Sequence, residues 1–98
     1  MATRLDIAER FHKDIDHIVA HLRAHDANDI DVRVEEIFGA LWVLKSHPLI
    51  GRLADDGSRE LVIGRDARGF VVRYRYNPIK DEVDVAALRA QREAGFVD

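Results

Sequence analysis

The sequence predicts an α+β fold, an N-terminal antiparallel helical hairpin packed on a three- to four-stranded antiparallel β-sheet. Three observations predict it. Apolar residues recur at helical spacing through the first half of the chain, the period switches to strand-like alternation after Pro48, and turn residues cut the second half into short runs. With 98 residues one core is expected, hence one domain over residues 1–98. The hairpin falls at about residues 7–46, the sheet at about 59–88, and a tail at 89–98. A sheet this small needs its apolar face covered, and the hairpin is the material available to cover it.

The first helix is read from Ile7, Phe11, Ile15, Ile18 and Leu22, at steps of four, four, three and four. Asp6 is its expected N-cap, with Glu9 as the capping-box partner three residues on. The polar stretch His25-Asp26-Ala27-Asn28 ends it, and a second helix starts near Asn28 or Asp29. Its stripe is Ile30, Val34, Ile37, Phe38, Leu41 and Leu44. Lys45 and His47 suit the negative pole of the helix dipole, and Pro48 blocks continuation. Helices joined by so few residues pack antiparallel.

Residues His47 to Arg52 form a turn and Ala54 to Ser58 a loop, by composition. Arg59 to Gly64 reads as a strand, Arg65 to Gly69 as a hairpin connection, and Phe70 to Tyr76 as the central strand, rich in β-branched and aromatic residues. Asn77 to Asp81 turns the chain, and Glu82 to Leu88 alternates like a half-buried strand. A further short strand at about residues 2–5 adds to one edge, and Leu88 to Phe96 reads as a helical turn ended by Gly95.

Composition narrows the function. An apolar fraction of 47% with 34% charged residues is that of a folded globular domain. With no cysteine, a disulfide scaffold, a thiolate zinc site and a cysteine nucleophile are excluded. There is no 18-residue apolar run, and the N-terminus is charged from Arg4, so a cytoplasmic chain with no membrane contact is expected. The net charge of −3 is uneven: residues 1–58 sum to −4 and residues 59–98 to +1. Such a chain makes a poor general nucleic-acid binder, because non-specific affinity rests on phosphate neutralisation. It can still carry a local arginine surface.

Four groups of residues could carry chemistry. His17, His21 and His25 lie four apart on the first helix, where a pair could hold zinc, but no third ligand is evident, so a solvated flank is the expectation. Trp42 stands one step off the main stripe, as a buried aromatic at the hairpin rim or as an interface anchor. Arg73 and Arg75 alternate with Tyr74 and Tyr76, so one strand face bears two arginines. They either pair with Asp84 or Glu82 of the next strand or meet an acidic partner. The tail adds Arg89, Arg92 and Phe96. No phosphate loop, Ser/His/Asp set or catalytic carboxylate pair is present, so no enzyme, metal or cofactor is read from the residues.

The whole pattern resembles the RelE/ParE superfamily of toxins from bacterial type II toxin–antitoxin (plasmid stabilisation) modules. The resemblance rests on the helical hairpin, the turn Pro48-Leu49-Ile50-Gly51-Arg52, the run Arg59 to Ile63, the strand FVVRYRY at 70–76 and the ending Leu88 to Phe96. It implies one of two activities. RelE-like members cut messenger RNA on the ribosome, with basic residues gripping phosphate and a tyrosine, histidine or glutamate as acid or base. ParE-like members lack that set and poison DNA gyrase. Here the positions of the ribonuclease set fall at Val71, Ala90 and Phe96, none of which transfers a proton or clamps a phosphate. The charge of −3 also disfavours docking on ribosomal RNA. The resemblance therefore implies a ParE-like, non-enzymatic toxin that causes growth arrest by protein contact. Its partners would be a cognate antitoxin, partly disordered and folding along the hairpin and sheet, and gyrase. Arg73, Arg75, Arg89, Arg92, Phe96 and Trp42 are the implied partner-binding residues. The alternatives are a RelE-type ribonuclease with an unusual arginine arrangement, and an inactive antitoxin-binding member.

Overall fold

The computed structural model describes residues 3–25, 27–64 and 69–91. A short strand β1 (Arg4–Ile7) leads directly into helices α1 (Glu9–Ala24) and α2 (Ile30–Ser46), and strands β2 (Arg52–Leu53), β3 (Arg59–Ile63), β4 (Phe70–Asn77) and β5 (Glu82–Ala90) follow. The strands form one sheet in the order β1-β5-β4-β3-β2. The expected α+β class and the central place of the Phe70 strand hold. The sheet differs from the expected one in strand count and in direction. Among the described residues it has five strands, and β1 runs parallel to β5. Parallel neighbours need a long crossover, and here the crossover is nearly the whole chain, which no local pattern reveals. The edge strand also lies at Arg4–Ile7 rather than at 2–5.

Two further expectations are corrected. Asp6 does not cap α1: it lies in β1, and Ala8 is the N-cap, with no side-chain cap bond. The Ala8 N–H instead donates to Val85 O at 2.9 Å, so the last sheet bond sits where the helix starts. Residues Leu88 to Ala90 are not a helical turn but the end of β5, opposite Val72, Val71 and Phe70. β4 is eight residues long and offers them ladder partners, which outweighs the weak helical propensity of three residues. The register between β4 and β5 slips once, at Arg73/Tyr74. Beside that slip the Leu88 N–H donates to Asp14 Oδ2 at 2.9 Å, tying α1 to the sheet.

The core lies between one sheet face and the helices. α1 contributes Phe11 and Ile18, α2 contributes Ile37, Leu41 and Leu44, and the sheet contributes Val72, Tyr74, Val83, Val85 and Leu88 among others. α1 packs chiefly along β5, and α2 lies against α1, β1 and β3. Tyr74 is fully buried and clamps the turn after α2, donating to Pro48 O at 2.8 Å and accepting from the Gly51 N–H at 2.9 Å. A side chain at Gly51 would place its Cβ 2.7 Å from that phenol oxygen, which is why the close approach needs glycine. Arg59 completes the clamp by donating to Gly51 O at 2.9 Å. Burial raises the Tyr74 phenol above its ordinary value of 10.0.

Candidate partner-binding surfaces

The sheet face without helices takes its side chains from strand alternation. Arg73 stands opposite Glu60 on one side and Ala87 on the other; Arg75 stands opposite Asp84, and Val71 opposite Arg89. Arg73, Arg75 and Arg89 therefore share one face, as expected for the first two. Arg75 is exposed, while Arg73 and Arg89 are half-buried. Val71 and Ala87 are buried in their midst at 2% and 0%, and Val62, opposite Val71, is exposed. The face is thus arginine-bearing with an apolar floor.

The expected pairing of Arg75 with Asp84 or Glu82 is not the one formed. Its guanidinium reaches Asp56 Oδ2 at 3.5 Å, across the loop before β3. Asp56 is presented there because its Oδ1 accepts from the Ser58 N–H at 2.9 Å and from the Ser58 hydroxyl. Those two bonds, with Arg75 and Arg73 nearby, hold the Asp56 carboxyl below its usual 3.8.

At the other end of the face, Asp6, Glu82 and Asp84 each bring a carboxylate oxygen within 4.8 Å of the others. Glu82 hydrogen-bonds Asp84, and that bond raises its carboxyl above the ordinary 4.5, with burial and the Asp84 charge adding to it. Arg4 Nε lies 3.8 Å from Glu82. His17, His21 and His25 join no group of three potential metal ligands among the described residues. All three are exposed, and the rings of His21 and His25 lie 4.3 Å apart, with His25 Nδ1 2.9 Å from His21 O.

A second surface is the outer side of α2. Trp42 is not a buried rim aromatic: 67% of it is exposed, with the Lys45 ammonium 4.8 Å over its ring. Phe38, expected in the shared stripe, is 40% exposed, and Val32, Val43, Leu49, Ile50 and Leu53 are exposed too. The signal was present in adjacent apolar pairs: Ile37-Phe38, Leu41-Trp42 and Val43-Leu44 cannot both face one core from one helix. The remaining implied partner residues, Arg92 and Phe96, lie outside the described residues.

No protein-family model and no curated protein matches the chain. Solved structures do. One is a chain of the chromosomal ParDE TA system from P. aeruginosa, 18% identical, aligned over 90% of this chain and 95% of that one with a TM-score of 0.72. The likeness is one of fold.

Proposed function

We propose that this chain is the toxin of a two-component toxin–antitoxin module, held inactive by a cognate antitoxin and acting through protein contact, with DNA gyrase as the implied target. The observation that carries the reading is the shared fold with a chain of a ParDE TA system over nearly the whole length. The open sheet face supports the same reading. Three arginines around an apolar floor suit bidentate contacts to carboxylates of a protein partner. An acidic antitoxin segment and the target would compete for Arg73, Arg75 and Arg89, with Arg92 and Phe96 assigned to the same surface from the sequence. The ribonuclease branch is disfavoured because Val71 is a buried apolar residue and Ala90 a methyl group where that branch places phosphate-gripping or proton-shuttling side chains.

The test is expression of the chain alone and together with the product of the adjoining small reading frame. Growth arrest with intact transcripts, relieved by the neighbour, together with loss of supercoiling by purified gyrase, is the expected result. Arrest accompanied by cleaved ribosome-bound transcripts would overturn the proposal in favour of the ribonuclease, and no arrest at all would leave only an antitoxin-binding module.

A further inference from the structure

The outer face of α2 is not explained by anything inside this chain. Along it run Val32, Glu35, Phe38, Gly39, Trp42 and Val43, all exposed. Gly39 is the informative member. Glycine inside a helix costs about 1 kcal/mol relative to alanine, and a Cβ built at Gly39 would meet nothing within 4 Å. Neither backbone conformation nor internal packing demands it, for its φ is helical and the space beside it is open. What it does is leave a notch beside Trp42 and Phe38 where a second backbone can approach closely.

We propose that this face seats a second copy of the same chain, the two α2 helices packing antiparallel about a two-fold axis near residue 40. The order of charges selects that occupant. Reversing the helix about residue 40 brings Glu35 opposite Lys45 of the second copy and Phe38 opposite Trp42, with Val32 reaching Pro48 at the start of the turn that follows. The two central pairings are then acid with base and aromatic with aromatic. A parallel arrangement would set Glu35 against its own copy and Lys45 likewise, a repulsive register. Lys45 is already drawn over the Trp42 ring, so its ammonium sits at the edge of the contact. Isologous contacts need such self-complementarity, and a random apolar patch has no reason to show it. The contact does not cover Arg73, Arg75 or Arg89, which lie on the sheet face away from the helices, so it stands or falls independently of what that face binds.

Sedimentation of the full chain over a concentration series is the test. The wild type is expected to show a reversible monomer–dimer equilibrium. Glu35→Lys and Lys45→Glu each raise the dissociation constant about tenfold, and the double swap recovers most of that loss. Gly39→Ala gives opposite signs in two readouts: a higher melting temperature for the dilute monomer, because alanine favours helix, and a weaker dimer, because the notch is filled. A chain that stays monomeric into the millimolar range overturns the proposal, even if a partner protein later proves to cover α2. So does a dimer that none of these substitutions weakens, or a double swap no better than the single ones.

Discussion

The two helices were built by the same rule and put to different use. α1 buries Phe11 and Ile18 and turns Glu9, Lys13 and Asp16 to water, with Lys13 and Glu9 spaced as an exposed ion pair at 3.9 Å. α2 buries Ile37, Leu41 and Leu44, yet shows Phe38, Trp42 and Val43 on its other side. Water explains the outside of the first helix and does not explain the outside of the second. The sheet repeats the contrast: one face is closed by the helices, and the other carries Arg73, Arg75 and Arg89 around Val71 and Ala87. Folding accounts for the inner side of each layer, and partners are proposed for the outer sides.

The sharpest way to break this contrast is to truncate one aromatic on each helix. Phe11→Ala, at a site with no exposure, should lower stability by about 3–5 kcal/mol in urea unfolding. Trp42→Ala should change it by no more than about 0.5 kcal/mol in dilute protein. Equal losses would mean that Trp42 belongs to the core.

Next in size is Tyr74→Phe, which keeps the ring but strips the hydroxyl from Pro48 O and the Gly51 N–H. Leaving those backbone groups unmatched should cost about 1–3 kcal/mol. A neutral result would show that the turn after α2 does not depend on the clamp.

The smallest effects are in pH dependence, on the open face. Glu82 binds its proton more tightly folded than unfolded, so stability should decline as pH rises from 4.5 through its higher folded value. Glu82→Gln should flatten that decline in thermal melts taken across the range. Asp56 acts in the opposite sense: the stability it adds is present above 3.8 and lost on acidification, as its bonds to Ser58 and its pairing with Arg75 fail. Asp56→Asn should remove that loss.

Much of the fold was legible because periodicity and turn chemistry are local. The helix ends near Ala24 and Ser46, the strand from Phe70 and the turn after Asn77 follow from residues a few positions apart. In that turn Asn77 Oδ1 accepts from the Ile79 and Lys80 N–H groups. The parallel β1–β5 pair was not legible, because Leu5 and Val83 meet only through the whole tertiary structure. Of the surface, alternation alone placed Arg73 and Arg75 together; adding Arg89 required the register of β5, and the Arg75–Asp56 pair required a loop to fold back. The exposure of Phe38 was hidden because it fits the apolar stripe, which was drawn wider than the side of α2 that the sheet could cover, whereas Trp42, one step off that stripe, could be read either as a rim aromatic or as an interface anchor.

The most direct test of protein contact through the arginine face is charge reversal in a growth assay. Arg73→Glu combined with Arg75→Glu, expressed from an inducible promoter beside the wild type, should abolish growth arrest while the purified variant keeps its circular dichroism spectrum and cooperative melt. Undiminished arrest by a folded double variant would contradict the account.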